Sequence, residues 1–199
     1  VTMLNKSFRD LASEPAASQY NSSLAQYLWV STLTKADKES LNGMTIIASE
    51  DYPYSKNLKK IADQWRNVLG LNCSVEIIPQ SDYESRIKSG DYYIAFAEIK
   101  GDSDNPSAFL NYFKTGDKNN IFAFSSTSYD AMLKSAKSTK SLSDSVDKYG
   151  AAEKYLIDNN FFAPIYYQKE YLIFKKDISE VTYNPFTKQI DFSRAKNKK

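Results

Sequence analysis

Hydrophobic positions change their period several times along this chain, and each change predicts an element. The polar-flanked stretch NSSLAQYLWVSTLTKADKESLNG reads as one helix with a polar exit before Gly43. MTIIAS (44–49) is a short apolar run of the kind that forms a buried strand. Tyr52-Pro53 then turns the chain. Leu58, Ile61, Ala62, Trp65, Val68 and Leu69 recur at helical spacing, so one face of a helix is apolar and Gly70 stops it. LNCSVEII (71–78) alternates as a strand does, and Cys73 falls among Leu71, Val75 and Ile77 as a small buried hydrophobe.

Ser81-Asp82-Tyr83-Glu84 has the spacing of a capping box and predicts a short helix ending at Gly90. YYIAFAEI (92–99) predicts the next strand. Asn105 and Pro106 then read as the cap and first-turn proline of a helix, with Asp104 supporting that end. Asp102, three residues before the cap, has no such structural duty. Thr127 to Asp130 predicts the start of a helix carrying Met132, Leu133 and Ala136, and a second helix over about 141–158 buries Leu142, Val146, Tyr149, Ala152 and Leu156. FFAPIYYQKEYLIFKK (161–176) reads as a strand pair or one bent strand, followed by short extended pieces around Val181 and Ile190. The order β-α-β-α-β, two helices, then β predicts an α/β fold with a mixed, mostly parallel sheet and helices on both faces. No internal repeat is visible, and the pattern is that of one compact domain.

Composition mostly excludes. The 199 residues carry a net charge of +2, and basic residues are interspersed with acids, so nothing points to nucleic acid. The one basic cluster, RAKNKK (194–199), reads as a solvated terminus. Histidine is absent and Cys73 is the single cysteine, which removes His-based catalysis, disulfides and most zinc sites. No run approaches the ~18 apolar residues of a spanning helix. A start at Val1 without a basic-then-apolar leader is the expectation for a mature or excised piece.

Candidate chemistry is equally sparse. With six glycines, neither dinucleotide nor phosphate-loop spacing occurs, and no cofactor is expected. DSDNPSAFLNYF places Asp102 and Asp104 as a calcium loop would, but fails at Pro106, Ser107 and Phe113. Acids such as Glu98 and Asp102 could serve a carboxylate enzyme, yet nothing places a second acid across a cleft. Of the fifteen tyrosines, Tyr92, Tyr93, Tyr166, Tyr167 and Tyr171 are expected at strand ends; core and rim packing is the better reading for most of them, with some lining a cleft where α/β sheets bind ligands.

From Met44 onward the order of motifs resembles the substrate-binding proteins of peptide and nickel ABC importers, extracytoplasmic solute-binding family 5. IADQWRNVLGLNCSVEIIPQSDYESRIKSGDYYIAFAE is similar to the family's helix, lGI-x-V strand, Y/F-xx-L-xx-G helix and yDia strand. GDSDNPSAFLNYF resembles its W-xx-D-Y-x-D-P segment, NNIFAFSSTSYDAMLKSA its N-N and yD-xL segment, and YGAAEKYLIDNNFFAPIYYQKEYLIF its Y-xx-aE and P-lYy segment. The first forty residues match poorly.

The resemblance implies the C-terminal lobe of a type II periplasmic-binding-protein-like fold. Residues 1–43 would be a helical or irregular entry, 44–178 the α/β core, and 179–199 a return segment toward a first lobe with a basic tail. It implies an extracytoplasmic, non-catalytic protein that clasps an oligopeptide or other small solute by hinge closure. Its partners would be the N-terminal lobe of the same protein and ABC permease subunits, with a signal peptide and lipid anchor upstream. The family aspartate that pairs with a peptide α-amino group falls on Asp102, and the cleft tyrosines point to Tyr166, with Gln168 on the same face. Ile99 stands for the family tryptophan, Ser103 for the tyrosine, and Tyr93 for the strand aspartate; these departures leave the ligand open. Glu98, beside the site, is a further candidate for selecting charged ligands, as is Lys100, although outward-facing surface charge is the better reading for Lys100. The alternatives are an oligosaccharide, a metal chelate or a signalling peptide on the same scaffold, or a stand-alone α/β enzyme using carboxylates.

Overall fold

A computed structural model describes residues 19–103, 105–166 and 171–197. In chain order these form α1 (Ser22–Thr32), α2 (Lys35–Leu41), β1 (Thr45–Ser49), a 3-10 turn (Ser55–Asn57), α3 (Leu58–Leu69), β2 (Ser74–Ile78), α4 (Gln80–Ser89) and β3 (Ile94–Phe96). There follow α5 (Ser107–Leu110), a 3-10 turn (Asn111–Phe113), α6 (Thr127–Ser138) and α7 (Leu142–Asp158). The chain closes with β4 (Ile178–Ser179), β5 (Thr182–Asn184), β6 (Gln189–Asp191) and β7 (Lys196–Asn197). The described residues divide into two compact units, one of 19–99 with Asn111–Asp130, the other drawn from 100–110 and 131–197.

The first unit is built on a three-stranded parallel sheet in the order β2-β1-β3. Alternation along β1 sends its side chains to two cores. Ile46 and Ala48 join Met44, Leu71 and Cys73 under Leu58 and Ala62 of α3, with Trp65, Leu69 and Trp29 of α1 packed against them. Ile47 faces the other way, onto Tyr83 and Ile87 of α4. Helices therefore cover both faces, as expected. Gly70 ends α3 with φ 69°, a left-handed conformation that glycine adopts without a Cβ penalty, and its N–H returns to the Arg66 carbonyl.

Four elements in this unit differ in their bounds from expectation, the first being β2, which starts at Ser74 rather than Leu71. The long N-terminal helix is two helices, because Thr34 and Asp37 form a capping box that starts α2 and leaves Leu33 extended. The predicted capping box at Ser81 does not form: the cap position is Pro79, two residues earlier, and the amide of Gln80, the first helical residue, bonds Glu84 at 2.6 Å. β3 is only three residues long, so Tyr92 and Tyr93 lie at its amino end rather than at the ligand-binding end.

In the second unit, α7 starts on the Ser141 cap and buries Val146, Tyr149, Ala152, Glu153 and Leu156. Leu142, expected in that core, is 60% exposed because it sits in the first turn, ahead of the buried stripe. The Tyr149 phenol bonds Ser107 of α5, and Lys148 bonds Thr139 just beyond α6 at 2.7 Å. Residues 161–166 and 171–176 are irregular rather than stranded. The tail forms two short antiparallel ladders, β5–β6 and β4–β7. The basic terminus is thus partly structured: Lys196 pairs across the ladder and contacts Glu180 at 2.6 Å.

Candidate functional site

In a parallel α/β sheet, ligand-contacting residues are expected beyond the carboxyl ends of the strands. At the end of β1, Ser49 is fully buried and its hydroxyl accepts the Asp51 N–H at 3.1 Å, while the Glu50 N–H extends the ladder to Ile78 O. At the end of β3, the Phe96 carbonyl accepts the phenol of Tyr83 at 3.0 Å. Tyr83 is fully buried, and Tyr52 meets it edge-on at 5.3 Å and Phe96 at 6.2 Å.

These phenols are hydrogen-bonded to one another, and their environment keeps them neutral. Burial pushes the Tyr83 phenol far up, with the charge of Tyr52 adding to it. Burial also raises Tyr52, and the nearby carboxylates of Glu98 and Glu84 reinforce the shift. Tyr92, half-buried in the same cluster, is raised by burial alone. At the sheet end, Tyr52 and Tyr83 therefore act as hydrogen-bond groups and carry no charge at neutral pH.

A loop of the same unit adds Phe122 to this cluster. Asn120 builds that loop: its amide donates to Lys114 O at 3.0 Å and Phe124 O at 2.7 Å, and its Oδ1 accepts the Phe124 N–H. Phe113 stacks on Phe122 at 5.7 Å, and the Asp130 carboxylate accepts the Thr115 N–H at 3.0 Å. Asp130 was expected to help cap α6; the cap is instead Ser126, which accepts the Tyr129 N–H.

The residues expected to bind ligand divide between the units. Glu98 and Ile99, both half-buried, close the first unit's strand segment. Asp102 and Ser103 belong to the second, where the Ser103 hydroxyl donates to the exposed Asp102 carboxylate at 3.2 Å. Asn105 accepts both the N–H and hydroxyl of Ser107, at 2.9 and 2.8 Å, and the Leu110 N–H returns to Pro106 O, so the expected helix start is present. Tyr166 is 44% exposed on the irregular segment. Gln168 and Asp104 lie outside the described residues, as does Tyr167.

Chemically, an exposed carboxylate steadied by a neighbouring hydroxyl suits acceptance of an ammonium group through a charge-assisted bond. Among the described residues no group of His, Cys, Asp and Glu could hold a metal ion. Cys73 is buried, and that burial pushes its thiol up, away from reactivity. No helix among the described residues is long and apolar enough to cross a membrane.

Sequence reasoning missed Tyr52 and Tyr83, taking one as a turn residue and the other as part of a cap. It also missed Gly101, where an added Cβ would sit 2.4 Å from the Phe109 ring. The visible signal was a glycine directly between a strand end and the candidate aspartate.

No protein-family model matches the chain. Among curated relatives, it is 23% identical over 179 residues to the probable D,D-dipeptide-binding periplasmic protein DdpA of Escherichia coli, covering 86% of this chain and 35% of that protein. It is 29% identical over 155 residues to the dipeptide-binding protein of Lactococcus lactis, covering 75% of this chain and 28% of that protein. The substrate-binding domain of an oligopeptide ABC transporter from Bacillus anthracis superposes with a TM-score of 0.65 at 19% identity, over 95% of this chain and 39% of that one, a likeness of fold alone. The chain thus spans about a third of the length of these curated relatives.

Proposed function

We propose that this chain, a homologue of part of the family 5 peptide-binding proteins, is the C-terminal lobe of the substrate-binding component of an ABC importer and takes oligopeptides without catalysis. The Escherichia coli relative is named as a periplasmic binding protein, and in this reading the chain works on the same, extracytoplasmic side of the membrane. The observation that carries the reading is the segment beyond β3, which holds Glu98, Ile99, Asp102 and Ser103 outside any regular element, in a chain homologous to dipeptide-binding proteins.

In this reading Asp102 receives the peptide's α-amino group, Tyr166 and Gln168 contact the ligand, and Glu98 biases the choice toward cationic peptides. A first lobe closes over the ligand by hinge motion, and backbone groups of the peptide are matched as in strand addition. The exposed apolar side chains of residues 171–174 are surface that the remainder of such a protein covers. Permease subunits receive the closed form, and a lipid anchor holds the whole protein at the membrane.

Asp102→Ala in the whole protein is expected to weaken peptide binding by about 2–5 kcal/mol, the cost of leaving a desolvated charge unpaired. Calorimetric titration with a dipeptide or tripeptide measures it. An unchanged affinity removes Asp102 from the site. The isolated chain is expected to bind peptide weakly or not at all, and submicromolar binding by it overturns the single-lobe reading.

A further inference from the structure

The segment 97–103 has neither a strand partner nor a helix of its own, since the β1–β3 ladder ends at the Ala48–Phe96 pair. It is nevertheless held at both ends by groups outside it. At the front, the phenol of Tyr83 donates to the Phe96 carbonyl at 3.0 Å. Tyr83 is itself immobilised: it is fully buried, one turn before the buried Ile87, and both pack on Ile47. A rigid aromatic ring with a single hydroxyl places that donor with little residual freedom.

At the rear, Gly101 lies under the ring of Phe109. A Cβ there would come within 2.4 Å of Cζ and 2.6 Å of Cε2, far inside van der Waals contact. Phe109 is anchored through α5, where its N–H donates to Pro106 O at 3.1 Å and Pro106 is buried. Any side chain at 101 must therefore displace the ring or move the backbone that carries Asp102.

We propose that Tyr83 and Gly101 are positioning residues that hold segment 97–103, the former through the Phe96 carbonyl and the latter by admitting the Phe109 ring. The proposal rests on the reading that this segment contacts the ligand. Neither residue touches the ligand; each sets the backbone from which Glu98 and Asp102 project. The hydroxyl, and not the bulk, of Tyr83 is the operative feature.

Nitrogen-15 relaxation on the chain tests the anchorage without ligand. In Tyr83→Phe the order parameters of Glu98 and Ile99 are expected to fall from the rigid-backbone range near about 0.85 to below about 0.6. Those of Ile46, Ile47 and Val75 remain in the rigid range, and Tyr52→Phe, which leaves the Phe96 donor in place, changes neither group. Gly101→Ala is expected to loosen Asp102 and Ser103 in the same way, and Gly101→Ala with Phe109→Leu to restore them. Unchanged order parameters, or an equal fall across the whole sheet, overturn the proposal.

Titration of the whole protein with trialanine then separates the two layers of argument. Tyr83→Phe is expected to lose at least tenfold in affinity. If the natural protein binds trialanine and Tyr83→Phe binds it equally, the positioning role is wrong. If the natural protein does not bind trialanine, the peptide reading fails on that probe, while the relaxation result still decides the anchorage.

Discussion

Strand β1 and the stretch from 161 to 174 make an instructive pair. By composition the second is the stronger strand candidate, with four Phe or Tyr residues in FFAPIYY alone, whereas β1 is only TIIAS. Yet β1 is a central strand whose last four residues are buried, and the aromatic stretch is irregular where described, with Ile173 92% and Tyr171 80% exposed. The difference is partners. β1 is flanked by a parallel neighbour on each side and a helix on each face, so its backbone groups and both sets of side chains are satisfied. Pro164 removes a ladder donor in the second stretch, and among the described residues 161–166 and 171–176 pair with no strand. Apolar pattern is permission for a strand, and pairing is what makes one.

The contrast is most sharply broken at Ile47. Ile47→Ala is expected to cost about 2–5 kcal/mol, as for a fully buried aliphatic side chain in a packed core; a denaturant titration that shows less than 1 kcal/mol would mean β1 is not the stabilising centre.

Alkaline pH probes the same core from its other side. Folding raises the phenol pKa values of Tyr83, Tyr52 and Tyr92 above the unfolded value near 10.0. Their contribution is therefore fully present below about pH 10 and is lost as pH rises beyond it, because the unfolded chain releases protons more readily. Denaturation midpoints between pH 8 and 11 should stay flat and then drop, less steeply in Tyr83→Phe.

Gly70→Ala is expected to cost about 1 kcal/mol, since φ 69° strains any residue with a Cβ. At the small end, Ile173→Ser should shift stability of the chain by no more than about 0.5 kcal/mol, as exposed substitutions do. A loss comparable to that at Ile47 would show that the aromatic stretch is packed in solution.

Much of the first unit was legible in the sequence because its signals are local. The apolar face of α3, the glycine stops at Gly70 and Gly90, and the alternation through Cys73 each follow from spacing alone. Boundaries were less legible where two local signals competed. Thr34 and Asp37 interrupt a run that reads as one helix, and α4 starts after Pro79 without the side-chain cap expected of Ser81. Near the candidate site, the Asn105–Pro106 helix start could be picked out, since it depends on neighbours in sequence. Tyr83 could not be connected to Phe96, thirteen residues away, nor Phe122 to Tyr83, because those contacts exist only after α4 has docked on the sheet.

The sequence by itself determined the α/β class, the absence of histidine and phosphate-loop chemistry, and the helix start at Asn105–Pro106. Only the tertiary structure decided which apolar runs became strands, and which buried phenol grips the end of β3. The physical reason is that periodicity and capping act within a turn or two of chain. Ladder pairing, burial of a hydroxyl and the closeness of Phe109 to Gly101 depend on where distant elements come to rest.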